Sequence, residues 1–329
     1  MANVPTECII GIDLGGTNLR AAALDPALEP LARAQRVIAG LELEPLLQAL
    51  ADAVEEVRTA AAAQGAEALA AGFGIPCLFD YEREVAVSST HLPLRDFPLA
   101  AALAERTTLP VFLDNDANVA LLAELRQGAA QGASVAAILT LGTGIGGGLA
   151  FAGEVYRGAS GAGGELGHIV VSPDGPDCGP GCPGHGCLEA MAGGSALARD
   201  ARLAAIENPS SALGQALADG REIDGALVCE LALHGDETAT AVLARLGEWL
   251  GIGIITIVNA LNPDVVVIGG GVAQAAELIL APARKTLAQR GLPAPTRHVE
   301  LRPAHFGRDA GVVGAALLAR ESIARRVAA

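Results

Sequence analysis

Asp13-Leu14-Gly15-Gly16-Thr17-Asn18 separates two apolar runs, residues 8–12 and 19–24. The first run fits a buried strand and the second its return, so the segment is a hairpin with a glycine-rich tip. The same pattern restarts further along. Residues 135–141 read as a strand, Gly142-Thr143-Gly144-Ile145-Gly146-Gly147-Gly148 as a glycine-dense turn, and residues 149–151 as the start of the return strand. Asp13-Leu14-Gly15-Gly16 and Thr140-Leu141-Gly142-Thr143 therefore hold equivalent places in two strand–turn–strand units. This internal echo predicts a duplicated α/β architecture with two phosphate-facing hairpins.

Between the echoes, residues 43–63 carry a helical apolar period, and 70–75 and 111–113 read as short buried strands. Residues 116–126 read as a helix, with Val119, Leu122 and Leu125 on one face. Helices are expected to dominate residues 195–260. Residues 265–268 form a strand that runs into Gly269-Gly270-Gly271, followed by a helix to about residue 289. A last helix, about 310–325, is expected to pack back on the first lobe.

The chain has 329 residues, of which 51% are hydrophobic, enough for two lobes with buried cores. Its formal net charge of −15 repels a phosphate backbone and argues against a nucleic-acid partner. A local glycine-rich pocket with a magnesium ion overrides that sign for ATP. The first residues lack a basic segment followed by an apolar run, so no secretory leader is expected. The most apolar region, residues 250–272, is broken by Asn259, Asn262, Pro263 and Asp264, so no membrane span is expected. Three of the six cysteines lie within ten residues, which points to metal binding in a reducing cytoplasm.

A bound phosphate needs backbone N–H donors at close range, and glycine permits both that approach and the positive φ angles that aim successive donors at one point. Gly15, Gly16, Thr17 and Asn18 in the first turn and Gly142, Thr143 and Gly144 in the second are candidates for the ATP phosphates. Thr17 and Thr143 add hydroxyls. Gly269, Gly270 and Gly271 follow a buried strand and are a candidate adenosine contact. Asp13, at a strand end, is a candidate holder of Mg²⁺ through its water shell. A P-loop requires lysine beside its last glycine, yet the single lysine, Lys285, lies in Pro282-Ala283-Arg284-Lys285-Thr286. The dinucleotide fingerprint expects a helix after its glycines, where residues 19–24 read as a strand.

Asp114-Asn115-Asp116-Ala117-Asn118 follows a strand and opens a helix. One such residue is a helix cap. Clefts in open α/β sheets lie at the carboxyl ends of strands, where a carboxylate can accept the proton of a sugar hydroxyl attacking the γ-phosphate. Asp116 is the candidate base, and Asn115 a candidate to orient neighbouring hydroxyls.

Gly164-Glu165-Leu166-Gly167-His168 precedes Cys178, Cys182, His185, Cys187 and Glu189. His168, Cys178, Cys182 and Cys187 suit a tetrahedral Zn²⁺, with His185 as a replacement ligand. A closed four-ligand site is structural. One nitrogen of His168 binds the metal and the other can face a polar ligand. Glu165 and Glu189 are candidates to accept hydrogen bonds from sugar hydroxyls.

Taken in order, Asp13–Thr17, Asp114–Asn118, Leu141–Gly148, Glu165–His168, the cysteine loop ending Gly186-Cys187-Leu188-Glu189, and Gly269–Gly271 resemble the ROK family (repressor, open reading frame, kinase) of bacterial sugar kinases and regulators. The resemblance implies a two-lobed actin-like, hexokinase-type fold with a central cleft. The lobes are expected at residues 1–115, with 310–329 packed back on them, and at 116–309. It implies Asp116 as catalytic base, Asn115, Glu165, His168 and Glu189 as sugar contacts, and a homodimer or homotetramer. The expected activity is ATP-dependent phosphorylation of a hexose primary hydroxyl, glucose first. N-acetylhexosamine or fructose kinases, polyphosphate as donor, and a non-catalytic sugar-sensing regulator are the alternatives. Two departures stand out. Three residues separate Cys178 from Cys182, where the family usually has one, and His91 stands where many members carry Asn before Leu-Pro.

Overall fold

The apolar run at residues 8–12 is the centre of β1 (Thr6–Leu14), whose Ile10, Ile12 and Leu14 are buried. It pairs antiparallel with β2 (Asn18–Leu24) through Asp13↔Arg20 and Leu14↔Leu19, which places Gly15–Thr17 at the hairpin tip. The computed structural model describes residues 6–271 and 276–328. Two compact units divide them, one of residues 6–131, 154–163 and 309–328, the other of 132–153 and 164–308.

In unit one, β3 (Pro30–Val37) extends the sheet antiparallel to β2. Helix α1 (Leu43–Ala62) buries Leu46, Leu47, Leu50, Val54, Val57 and Ala61, the i, i+3, i+4 stripe that makes it amphipathic. Then come β4 (Ala66–Ile75), a small sheet of β5 (Leu78–Asp80), β6 (Val85–Ser88) and β7 (Arg95–Phe97), helix α2 (Leu99–Thr107), β8 (Val111–Asn115) and helix α3 (Asp116–Gln127). The main sheet has the order β3-β2-β1-β4-β8, with β1–β4 and β4–β8 parallel.

Unit two begins with β9 (Val135–Leu141) and β10 (Ile145–Phe151), an antiparallel pair. The chain then returns to unit one for β11 (Glu154–Tyr156). Back in unit two are the hairpin β12 (Asp177–Gly179) and β13 (Cys182–His185), helices α4 (Leu188–Ala192), α5 (Gly194–Glu207), α6 (Ala212–Ala218), α7 (Gly225–Leu233) and α8 (Glu237–Leu261), strand β14 (Val265–Gly270), helices α9 (Ala276–Arg290) and α10 (Pro293–His298), and β15 (Glu300–Pro303). Helix α11 (Ala310–Ala328) closes unit one. Residues 272–275, where the helix after Gly271 was expected to start, lie outside the described residues.

The duplication is visible strand by strand. The run β2-β1-β4-β8 has antiparallel, parallel, parallel neighbours, and β10-β9-β14-β15 has the same sequence of senses. The expected boundary at 115/116 falls instead at 131/132, because α3 packs against α11 in unit one. The second turn is also shorter than expected. Its last four residues already pair in β10, which leaves Gly142–Gly144 as the tip. Helix α8 is long and apolar enough to cross a membrane, contrary to the reading of that region as too interrupted. The interruptions at Asn262 and Pro263 lie beyond its end, and Leu243, Leu250, Ile254 and Val258 are buried in the core of unit two.

Glycine sets how closely α11 lies on the first sheet. A Cβ at Gly11 would stand 2.0 Å from the Val312 carbonyl oxygen, and one at Gly72 would stand 1.8 Å from that of Ala315. Backbone carbonyls in a helix cannot yield as a side chain would. Gly72→Ala is expected to destabilise unit one by about 3 kcal/mol or more, seen as a lower denaturation midpoint with an unchanged slope.

Candidate active site and metal centre

The strand-to-helix junction divides its labour among neighbouring residues. Asp114 is the one buried residue of β8, with 1% exposure. Its carboxylate accepts from Tyr81 Oη at 2.6 Å, Asn118 Nδ2 at 2.9 Å, the Asn115 N–H at 2.8 Å, and Arg157 through Nε at 2.8 Å and Nη2. Burial and the adjacent Asp114 charge push the Tyr81 hydroxyl far above its ordinary pKa. Burial pulls the Arg157 guanidinium down, but Asp114 outweighs it, so Arg157 titrates above its usual range. Asn115 is the N-cap of α3, with Oδ1 accepting from the N–H groups of Ala117 at 2.9 Å and Asn118 at 3.3 Å. Capping therefore falls to Asn115, and Asp116 occupies the first turn of α3. Tyr81 and Arg157 were invisible to sequence reasoning. They lie 33 and 43 residues from Asp114, and no local spacing links them.

At the first hairpin tip the Gly15 N–H donates to the Asn18 carbonyl at 2.8 Å, and Gly16 and Thr17 are exposed. Positive φ angles were expected in these turns, but Gly15, Gly16, Gly142 and Gly144 have none. Space explains two of them, Gly16 and Gly144, whereas a Cβ would meet nothing within 4 Å at Gly142 and only an ordinary contact at Gly15. A Cβ at Gly16 would press on His91 Cβ at 3.1 Å, and one at Gly144 would fall 2.0 Å from Glu189 Oε2. The Asp13 carboxylate lies against Gly311 in the first turn of α11, where a Cβ would come within 2.4 Å of it. Burial raises its pKa to about 6, Arg20 opposes the rise, and Asp309 adds to it.

That shift fixes the sign of a stability effect. An Asp whose folded pKa lies above its unfolded value binds more protons in the native state. Stability is then lost as pH rises from about 4 to 6 and is not regained above that window. Asp13→Asn is expected to stabilise the ligand-free protein near pH 7.5 by on the order of 2–3 kcal/mol, with the gain vanishing below about pH 4. Thermal melts of both proteins at the two pH values check this.

In unit two the Gly142–Gly144 tip is held from two sides. The N–H groups of Gly194 and Ser195, opening α5, donate to the Gly142 and Thr143 carbonyls at 3.0 Å each. Glu189 Oε2 accepts from the Ile145 N–H at 2.7 Å, and Oε1 lies 3.8 Å from Cys178 Sγ. Glu189 thus joins the glycine turn to the cysteine loop through one carboxylate. At the end of β14, Gly270 does adopt a positive φ of 98°, and the Gly271 N–H donates to the Leu141 carbonyl at 2.9 Å. This brings the Gly269–Gly271 segment to the root of the second turn.

His168, Cys178, Cys182 and Cys187 come together, with one ligand atom from each within 4.8 Å of all the others. Cys182 and Cys187 sulfurs are 3.9 Å apart, and Cys178 Sγ is 3.4 Å from His168 Nδ1. Tetrahedral zinc with bonds of about 2.3 Å to sulfur sets its sulfurs about 3.8 Å apart, so the donor set fits that ion. The wide Cys178–Cys182 spacing is absorbed by the β12–β13 hairpin. Its tip takes up the intervening residues, with Gly179 and Gly181 at φ of 114° and 89°. His185 is not in the cluster, since its Nδ1 pairs with Asp177 at 2.7 Å. Burial raises the thiols of Cys178 and Cys187, and neighbouring sulfurs hold Cys178 higher still. Nε2 of His168 points the other way, 3.8 Å from Glu165 Oε2. Burial raises the Glu165 carboxyl above its ordinary pKa, partly offset by His168.

With this geometry in place, likeness to known proteins is informative. The ROK family model matches residues 9–322. A glucokinase of Halalkalibacterium halodurans is 33% identical over 314 residues, covering 95% of this chain and 94% of that protein. A ROK family glucokinase from Streptomyces griseus, solved with glucose and AMPPNP, superposes with a TM-score of 0.84 at 35% identity, covering 95% of this chain and 99% of the other. A ROK family transcriptional regulator, a homologue of the Escherichia coli Mlc protein, has the same fold, with a TM-score of 0.85 at 28% identity over 96% of this chain and 78% of the other. The motifs, the duplicated α/β fold and the match along nearly the whole length agree, and the chain belongs to the ROK family.

Proposed function

We propose that this sugar kinase transfers the γ-phosphoryl group of ATP to the primary hydroxyl of a hexose, with glucose the preferred acceptor. Asp116 carries the reading. It opens α3 directly after Asn115, the helix cap, and two residues after Asp114, at the carboxyl end of β8 where clefts in open α/β sheets lie. In the proposed reaction Asp116 accepts the proton of the hydroxyl as its oxygen attacks phosphorus in line. Asn115 Nδ2, Glu165, His168 Nε2 and Glu189 hydrogen-bond the other hydroxyls. Gly15–Asn18 and Gly142–Gly144 hold the phosphates, and Gly269–Gly271 the adenosine. Asp13, at the end of β1 beside the first turn, is assigned the magnesium-facing role through the ion's water shell. Mg²⁺ would offset phosphate charge there, and Zn²⁺ on His168 and the three cysteines would set the loop that carries Glu165 and Glu189.

Glucose is favoured by the glucokinases at 33–34% identity. The test is a coupled assay of ADP release over glucose, mannose, fructose, N-acetylglucosamine and N-acetylmannosamine, with polyphosphate as a second donor. The expected result is the highest kcat/KM for glucose with ATP. A higher value for an N-acetylhexosamine would displace glucose and keep the kinase. Sugar-independent ADP release alone would remove the kinase reading.

A further inference from the structure

We propose that Arg157 is a positioning residue for Asp116, acting through a strap that holds α3 at both ends. The proposal rests on the reading of Asp116 as the base. The strap is the short return of the chain into unit one at residues 154–163, between two stretches that belong to unit two. At its start, Glu154 pairs with Arg126 in the last turn of α3 at 3.0 Å. Three residues later Arg157 takes the Asp114 carboxylate with Nε and Nη2, just before the first turn of α3. Its guanidinium also lies over the Tyr81 ring, 5.4 Å from the centroid, and Tyr81 Oη donates to the same carboxylate. Gly161 seals the loop on β5, where a Cβ would stand 1.9 Å from the Phe79 carbonyl oxygen.

Asp114 in turn receives the Asn115 N–H and Asn118 Nδ2, one residue on each side of Asp116. Both Arg157 donors converge on Asp114 Oδ2, while Tyr81 Oη, the Asn115 N–H and Asn118 Nδ2 all meet Oδ1, so the carboxylate is held through both oxygens. A lysine ammonium is a point charge that cannot reproduce the planar pair of donors and the stacking on Tyr81. The direction in which Asp116 leaves the helix is thus set by a side chain 41 positions away. Misplacing a reacting group by about 1 Å costs on the order of 10²-fold in rate. A buried ion pair by itself says little about stability, so a role confined to stability is the reading to exclude.

The experiment compares wild type, Arg157→Lys, Arg157→Met and the double variant Arg157→Met/Asp114→Asn, each for melting temperature, kcat, and KM for ATP and glucose. Arg157→Lys is expected to lower kcat by about 10-fold and Arg157→Met by about 10–100-fold, with KM for ATP within about twofold. Arg157→Met leaves a buried carboxylate without its cation, so it also melts lower. The double variant removes that charge and is expected to regain melting temperature without regaining kcat. Full recovery of kcat along with melting temperature, or an Arg157→Met kcat within twofold of wild type, overturns the proposal. Hydrogen exchange supplies a readout independent of turnover. Amides at 115–121 are expected to lose protection in Arg157→Lys while those of α1 do not. Equal protection at 115–121 in the two proteins overturns the proposal even if no hexose is turned over, an outcome that would separately remove Asp116 as base.

Discussion

Replacing Asp116 with Asn is expected to lower kcat for glucose phosphorylation by about 10²–10⁴-fold, the usual worth of a general base. The fold should be unaffected, because Asn115 and not Asp116 caps α3. KM for ATP should stay close to wild type, since no phosphate contact is assigned to this side chain. Steady-state kinetics with a melt of each protein check all three expectations. Asn115→Ala makes the contrast. It removes the acceptor of the Ala117 and Asn118 N–H groups, so it should lower stability by about 1 kcal/mol as well as sugar affinity.

The second large effect is expected at the metal cluster. Cys187 is buried at the start of α4, two residues before Glu189, and its sulfur faces that of Cys182. Cys187→Ser should reduce bound zinc from about one ion per chain to a small fraction, since a serine hydroxyl is a poor zinc donor. With the loop loose, Glu189 loses its hold on the second turn, and kcat/KM for glucose should fall about 10–100-fold. Metal analysis of purified protein alongside kinetics measures both. Cys229→Ser, at a buried cysteine outside the cluster, and His185→Ala, at the histidine paired with Asp177, should both keep the ion. Full zinc occupancy in Cys187→Ser would contradict the ligand set, and zinc loss in His185→Ala would return His185 to it.

What could be read in the chain beforehand depended on how local the signal was. The hairpins at Gly15–Thr17 and Gly142–Gly144 were legible because apolar runs bracket each glycine turn, and the echo between them foretold matching sheets. Helix α3 was legible from the spacing of Val119, Leu122 and Leu125, but which polar residue capped it was not. Asn115 and Asp116 are both good caps, and only backbone geometry separates them. Strand β3 escaped notice because its residues alternate between partly and fully exposed and leave no apolar run. The glycines of the turns were legible as a class, but the positive φ angles expected of them are absent at Gly15, Gly16, Gly142 and Gly144. Gly16 and Gly144 make room for His91 and Glu189, contacts formed across 75 and 45 residues. Arg157 left no trace, since Arg157-Gly158-Ala159-Ser160-Gly161 carries no pattern that points to Asp114. The cysteine loop lay between these cases. Its ligands were legible by residue type, while the choice between Cys178 and His185 needed the β12–β13 hairpin that turns Cys178 toward His168.

The proposed phosphoryl transfer to a primary hydroxyl depends on Asp116. Its most direct test is product analysis of wild type and Asp116→Asn incubated with ATP, Mg²⁺ and ¹³C-labelled glucose, followed by carbon and phosphorus NMR. Glucose 6-phosphate and ADP are expected in equal amounts from wild type, and neither at a comparable rate from the variant. Phosphate on another carbon, free phosphate in place of a sugar ester, or equal rates from the two proteins would contradict it.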